Sequence, residues 1–160
     1  MKVTPYGDPV SITLEGESVT VPTGETWFVQ LVSRYSEEVQ INDQDVCSGS
    51  GDHDMFGANL VLPEDTEIWS EGFGRGSHIG GYSVNQDNEA FLHTSDVTVP
   101  SGEVWETMFL VPSYDEIAIN DVDVLQNSGG IDTHFTVTLV GGDTIGFIDN
   151  GGVACGWKVD

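Results

Sequence analysis

The sequence predicts an all-β fold made of two tandem small antiparallel β-sandwich modules, jelly-roll-like and related by internal duplication. Three observations support this prediction. No window of eleven residues holds the apolar spacing of an amphipathic helix. Short runs that alternate apolar and polar residues recur along the chain, separated by Gly, Pro, Asn and Asp. A long segment of the first half also recurs in the second half.

The repeat is clearest between residues 19–46 and 97–124, which begin VTVPTGETW and VTVPSGEVW. The offset, 97 minus 19, is 78 residues, and it also places Asp65-Thr66 on Asp143-Thr144. Near the end the offset becomes 75, which aligns residues 81–84 with 156–159. We therefore expect one loop of the second copy to be three residues shorter than its counterpart.

Each copy predicts the same order of elements. A Val-Thr-Val strand ends at Pro22 or Pro100, because proline cannot donate to a strand ladder. A Gly turn follows, and the next strand begins near Trp27 or Trp105. A third strand ends at an Asn-Asp pair, which favours a tight turn. Further strands are predicted near 58–62, 66–70 and 78–84, with counterparts near 134–140, 143–148 and 153–159.

These elements divide the chain into a first module over residues 1–84, a linker over 85–94 and a second module over 95–160. Each module is expected to hold about six strands, and residues 1–14 add one more strand or an arm. Phe91 and Leu92 lie in the linker, so we expect a short, docked connection.

The charge is extreme: 4 Lys and Arg stand against 27 Asp and Glu, a formal net charge of -23. Such self-repulsion destabilises a compact chain at low ionic strength. At 1 M salt the Debye length is about 3 Å, and the repulsion is largely screened. The composition resembles that of proteins from extremely halophilic archaea and their viruses. An ordinary acidic mesophilic protein is the alternative, but it would retain more Lys.

Several function classes are disfavoured by the same composition. Without a basic patch, no nucleic acid is expected as a partner. The first fifteen residues lack the apolar run of a signal peptide, and no stretch approaches a membrane span, so we expect neither export nor a membrane partner. The four histidines fall in no catalytic or zinc motif, which predicts that the protein is not an enzyme.

The best metal candidate is the loop that holds Asp52, His53 and Asp54, whose oxygen and nitrogen donors suit a divalent cation. The alternative is a solvated acidic loop. The pairs Asp43/Asp45 and Asp121/Asp123 are a second candidate, with turn capping as the alternative. No cofactor is expected beyond structural or surface cations such as Na⁺, K⁺, Mg²⁺ or Ca²⁺.

Phe73 and Arg75 lie in a Gly-rich loop whose counterpart in the second copy lacks both side chains. Aromatic residues and Arg are enriched at interface hot spots, so we expect these two to contact a partner. Cys47 and Cys155 occupy non-equivalent positions, and free thiols are favoured over a disulfide between them.

The VTVPxGExW…IND…V pattern, with its terminal Gly-aromatic-x-Val strand, resembles small β-rich structural proteins of haloarchaeal viruses. The resemblance implies a virion protein, made in the host cytoplasm and placed on the outer shell as a capsid decoration or turret. Its partners would be further copies in a symmetric homo-oligomer, the major capsid protein or other virion proteins, and the host cell surface. The alternatives are a tail, baseplate or fibre subunit, and a carbohydrate-binding or adhesion module of a haloarchaeal surface protein. In the last of these, Trp69, Trp157 and Tyr82 would stack on sugar rings.

Overall fold

A computed structural model describes residues 7–34, 38–47, 55–71, 77–84, 90–111, 116–126, 133–148 and 152–159. Every regular element in these ranges is a β-strand. The strands are β1 (Asp8–Leu14), β2 (Ser18–Thr20), β3 (Thr26–Arg34), β4 (Val39–Ile41), β5 (Gln44–Cys47), β6 (Met55–Leu62), β7 (Glu67–Ser70), β8 (Ser77–Val84), β9 (Ala90–His93), β10 (Val97–Thr98), β11 (Val104–Val111), β12 (Glu116–Ile119), β13 (Val122–Gln126), β14 (Thr133–Val140), β15 (Thr144–Ile148) and β16 (Val153–Val159).

The strands form four antiparallel sheets of four strands each. Sheet A has the order β1-β8-β3-β6, and sheet B has the order β2-β7-β4-β5. Sheet C (β9-β16-β11-β14) and sheet D (β10-β15-β12-β13) repeat these orders with every strand number raised by eight. The all-β prediction is therefore confirmed. Four small sheets are also the number and size found in a four-bladed propeller, so sheet count alone does not establish the two predicted sandwich modules.

The duplication covers more strands than the sequence predicted. Each half of the chain contributes eight strands to the described structure, not about six. Ala90–His93, inside the predicted linker, forms β9 and pairs with β16 as β1 pairs with β8. Residues 85–89 lie outside the described ranges.

The strand register corrects the predicted offset over two strands. Trp27 faces Leu62 and Trp105 faces Leu139, so the offset from β6 to β14 is 139 minus 62, or 77 residues. Val19 and Val97 face Ile68 and Ile145, which gives the same 77 for β7 and β15. The Asp65-Thr66 match to Asp143-Thr144 is therefore wrong by one residue. The second copy is three residues shorter in two places, by one residue in the loop that follows β5 and by two in the loop that follows β7 in the first copy. The sequence predicted that a single loop would account for all three residues.

The Asn-Asp turns are confirmed in both copies. Asn42 and Asp43 have φ of 49° and 61°, and Asn120 and Asp121 have 54° and 62°. Two consecutive left-handed residues match the twist of a two-residue hairpin, and Asn and Asp tolerate this conformation well. Each hairpin also has an irregular register at the same place, after Val39 in one and after Ile117 in the other. The duplication has therefore kept the backbone details of this hairpin.

Two apolar clusters form the core. The first joins sheet A to sheet B through fully buried side chains such as Leu31, Ile79, Ile41 and Ile68. The second joins sheet C to sheet D through Phe109, Leu139, Ile117 and Ile145. The first cluster also takes in Leu110, Val153 and Cys155 from the outer face of sheet C. The two copies therefore share a buried contact.

Edge strand β6 of sheet A lies against β9, β16 and β11 of sheet C at this contact. Val61 is 1% exposed, and its backbone N–H donates to the Cys155 Sγ over 3.5 Å. Burial raises the pKa of the Cys155 thiol to about 12, which keeps it protonated. Cys155 is a free, buried thiol, as predicted; the side chain of Cys47 lies outside the described part of the structure.

Candidate functional site

The two sites predicted from loops cannot be placed. Asp52, His53 and Asp54 lie within residues 48–54, outside the described residues. Phe73 and Arg75 lie within residues 72–76, which are also outside them. Both predictions therefore stay predictions. Within the ranges that the structure covers, no group of three or more His, Cys, Asp or Glu side chains is arranged to hold a metal ion.

The first aspartate of each repeated pair, Asp43 or Asp121, lies in a turn, and the second, Asp45 or Asp123, lies in the strand that follows. Asp43 lies in the left-handed turn and not in a strand beside Asp45. The Gln40 side chain donates to Asp45 and Glu38, both over 2.8 Å. Burial, followed by the charge of Asp45, raises the pKa of Glu38.

The repeated asparagines hold the hairpins in place. The Asn42 side chain accepts a hydrogen bond from the backbone N–H of Glu67, and the Asn120 side chain accepts one from that of Thr144, each over 2.9 Å.

The repeated Glu-x-Trp sequence is a clamp at the start of β3 and β11. Trp27 donates its indole N–H to Glu25 over 2.9 Å, and Trp105 donates to Glu103 over 2.7 Å. A residue at the end of β8 or β16 completes each clamp: Ser83 donates to Glu25 over 2.6 Å, and Lys158 to Glu103 over 3.1 Å. These bonds lower the pKa of both carboxyls, with Ser83 the largest cause for Glu25 and Trp105 for Glu103.

The described histidines are held by local contacts. His78 shares a 3.0 Å hydrogen bond with the Thr13 hydroxyl on the neighbouring strand. His93 is stacked on Trp105, with ring centroids 5.4 Å apart, and partial burial lowers its pKa. The His134 side chain and all of His53 lie outside the described part.

Three serines of the first copy form a buried hydroxyl chain that the sequence did not reveal. Ser77 donates to Ser33 over 2.8 Å and lies 2.8 Å from the Ser70 hydroxyl, and all three are at most 2% exposed. Val111, Phe147 and Gly152 take these positions in the second copy, where the Phe147 ring lies beside Gly152. The described contacts of these hydroxyls include no histidine or carboxylate that would activate a nucleophile.

A groove of about 620 Å³ lies between the outer face of sheet A and the second copy. We call it the inter-copy groove. Its lining residues are Pro9, Phe28, Val29, Gln30, Asn59, Leu60, Val61, Gly80, Gly81, Tyr82, Met108 and Trp157.

The strand register places two rows of side chains in the inter-copy groove. Tyr82 and Phe28 face each other across β8 and β3 and form an aromatic row. Gly80, Gln30 and Asn59 face each other across β8, β3 and β6 and form a glycine-amide row beside it. Trp157 approaches from the second copy, with its ring centroid 6.4 Å from that of Phe28.

Glycine is required on one strand next to the groove. A Cβ on Gly81 would collide with the carbonyl oxygen of Phe28, and one on Gly156 would collide with that of Glu106. Gly80 is different, because its Cβ would meet only the His78 ring at 3.5 Å. Gly80 therefore leaves the floor of the groove open, whereas Gly81 permits close strand packing.

None of the described residues that line the inter-copy groove is charged. The groove therefore offers aromatic faces and amide hydrogen bonds, and the Tyr82 phenol is the one titratable side chain among those residues. Such an arrangement suits binding. The sequence did not predict the groove as a whole. It did single out Tyr82 and Trp157, and both line this groove. The third aromatic, Trp69, lies in a different pocket beside Gln40, Asp43 and Glu67.

Comparison with known proteins returned no matching family model, no matching curated protein and no matching solved structure. No helix of a length and apolarity sufficient to cross a membrane occurs among the residues that the structure covers.

Proposed function

We propose that this chain is a non-enzymatic structural protein of a halophilic archaeal virion, a capsid decoration or turret protein on the outer shell. The observation that carries the proposal is the strand order. An eight-strand jelly roll pairs its strands as 1-8-3-6 in one sheet and 2-7-4-5 in the other, and both copies have this order. Jelly rolls are typical of viral capsid domains and of lectins.

The packing supports two jelly-roll sandwiches over four propeller blades. A propeller blade is a separate four-stranded sheet set around a central channel. Here the buried side chains of sheet A share a cluster with those of sheet B, and sheet C shares one with sheet D. Shared clusters of this kind are what two sheets packed face to face would produce, and they support one sandwich for each copy.

The net charge of -23 supports the halophilic part of the proposal. A particle in brine exposes its outer proteins to molar salt, where a carboxylate-rich surface is screened. The one ion pair among the described residues joins Lys158 to Glu103 over 3.1 Å, so charge pairing does little to offset the repulsion.

Self-association into a symmetric homo-oligomer is part of the proposal. Val104 faces Val140 on one side and Val159 on the other, so the three side chains form an apolar row across sheet C. Val140 is 51% exposed and Val159 is 42% exposed. An apolar row on an acidic surface favours contact with another copy. Sedimentation velocity in molar salt should give a smaller particle for a Val140→Ser/Val159→Ser variant than for Val122→Ser, which removes an exposed valine outside the row.

Mass spectrometry of purified virions tests the location. We expect the chain in the particle at a copy number comparable to that of the major capsid protein. A much smaller copy number would favour a tail, baseplate or fibre subunit. Absence from virions, with the chain found in the host cell envelope, would contradict the proposal in favour of a surface adhesion module.

A further inference from the structure

We propose that the inter-copy groove binds a neutral saccharide, with the aromatic row against the C–H face of a sugar ring and the amide row on its hydroxyls. This inference goes beyond the virion proposal and does not depend on where the protein acts. A groove of about 620 Å³ lies within the size range of small-ligand sites.

The aromatic side of the groove is partly exposed to solvent. Tyr82 is 40% exposed, so part of its side chain can be reached from solvent. Phe28 and Trp157 are half-buried, and their rings are tilted by 55° to each other. Aromatic rings of this kind offer flat apolar faces with little conformational freedom to lose on binding.

The amide side supplies unpaired hydrogen-bonding groups. Gln30 and Asn59 are exposed and lie directly opposite each other on β3 and β6. Within the described part of the chain, neither side-chain amide makes a hydrogen bond. Each amide has both donors and an acceptor, which is the pairing that neighbouring sugar hydroxyls need.

Comparison of the two copies favours a saccharide over a protein surface as the occupant. Met108 and Cys155 stand in the second copy where the first copy has Gln30 and Gly80. That face of the second copy is covered: Cys155 is 1% exposed and packs with Val61 and other apolar residues. The outer face of sheet C, which packs against the other half of the chain, is therefore apolar. The equivalent outer face of sheet A instead has amides and an accessible glycine.

The described residues that line the groove carry no charge, which favours a neutral ligand. The chain has 27 acidic residues, yet none of the residues that line the groove in the described structure is acidic. Among the described lining residues there is no cation to pair with an acidic sugar such as a uronate, so from these residues a charged sugar would gain nothing to offset its lost hydration.

NMR titration of the full chain in molar KCl tests the proposal, with the neutral disaccharides maltose, cellobiose, lactose and α-1,2-mannobiose as probes. We expect at least one to give saturable shifts of the Gln30 and Asn59 side-chain amides and the Trp157 indole, with a dissociation constant on the order of 1 mM. Asn59→Ala should weaken binding about fivefold, as expected for one lost hydrogen bond. Thr136→Ala is the matched control at the same position of the second copy and should leave binding unchanged.

Gly80→Val gives a second, steric test. Its new side chain would enter the groove, and we expect binding to weaken more than about tenfold while thermal unfolding is unchanged. Failure of all four disaccharides to saturate, or equal binding by wild type and Gly80→Val, would overturn the proposal. So would a wild-type oligomer that dissociates in Gly80→Val, because the groove would then be occupied by another molecule of the same protein. None of these results bears on the presence of the chain in virions.

Discussion

The indole N–H of Trp27 donates a hydrogen bond of 2.9 Å to the carboxylate of Glu25, two positions earlier in the chain. The same bond joins Trp105 to Glu103. Each Glu follows a left-handed glycine, Gly24 or Gly102, that turns the chain into the next strand. The most recognisable part of the repeat is therefore a device that fixes where a central strand begins, and it need not mark a site of chemistry.

Glu103→Gln should reduce the loss of stability in acid. Because hydrogen bonds lower the folded pKa below the ordinary 4.5, the unfolded chain binds the proton more tightly. The contribution of ionised Glu103 to the free energy of unfolding is complete above pH 4.5 and is lost as pH falls through the folded pKa. Chemical unfolding at a series of pH values in molar salt should therefore give a shallower acid limb for Glu103→Gln. Glu17→Gln makes the same charge change at an exposed position and should keep the wild-type slope; identical slopes for all three proteins would contradict the clamp.

Thr107→Val should stabilise the protein. The Thr107 hydroxyl is fully buried and has no hydrogen-bond partner in the described structure, and Val29 takes the same position in the first copy. Removing an unsatisfied hydroxyl of the same shape should raise the free energy of unfolding by about 1 kcal/mol. The reverse change, Val29→Thr, should lower it by about 1–3 kcal/mol. Urea unfolding of both variants measures this; a loss of stability in Thr107→Val would show that the hydroxyl has a partner.

Gly81→Ala should destabilise the fold, whereas Gly80→Ala one residue away should not. The new Cβ at position 81 would collide with the Phe28 carbonyl, and the backbone would have to shift at a cost of about 3 kcal/mol or more. At position 80 the Cβ has room, and the change should stay within about 0.5 kcal/mol. Thermal unfolding of the pair checks this. Equal melting temperatures would mean that the strands are less closely packed here.

His93→Ile should remove a pH dependence near neutrality. Burial lowers the folded pKa of His93 below 6.5, so the unfolded chain takes up the proton first. The contribution of neutral His93 to the free energy of unfolding is complete above pH 6.5 and is lost as pH falls toward the folded pKa. Ile12 takes the same position in the first copy, so isoleucine should be accommodated. Unfolding free energies between about pH 5 and 7 should rise less steeply with pH in the variant than in the wild type, and equal slopes would contradict a role for His93.

Removal of salt should unfold the chain or separate its oligomers. With a net charge of -23, repulsion grows once the Debye length exceeds the spacing of surface carboxylates. We expect cooperative thermal unfolding to be lost below about 1 M KCl and to return when salt is restored. Sucrose at matched viscosity is the control, since it does not screen charge. Unchanged unfolding in low salt would remove the argument for a brine habitat.

Local features of the fold were predictable from sequence because they depend on neighbouring residues. The alternation after Trp27 and the Asn42-Asp43 turn report strand and turn geometry directly. For Ala90–His93 the sequence predicts only a docked linker, because the partner of this short strand is β16, at the other end of the second copy. The offset error at Asp65 arose because an Asp-Thr pair also occurs 78 residues later, at Asp143-Thr144, whereas the backbone hydrogen bonds match Thr66 with Asp143.

The inter-copy groove depends on long-range placement, which sequence patterns do not encode. Tyr82 and Trp157 occupy equivalent positions, so the repeat alone would place them on separate copies. Only the docking of β6 against sheet C brings Trp157 next to Phe28. The unpaired Thr107 hydroxyl is equally invisible in the sequence, because β14 and β16, the strands that flank β11, come from distant parts of the chain.

The bond from Val61 to Cys155 crosses between the two copies, and both ends belong to one polypeptide. Covalent connection gives the two copies an effective concentration of the order of millimolar for each other. Their contact is consequently insensitive to dilution, unlike that of two separate single-copy chains. A single chain therefore already has every surface that its two copies form together, including the one between Phe28 and Trp157. No second protein molecule is needed to form it.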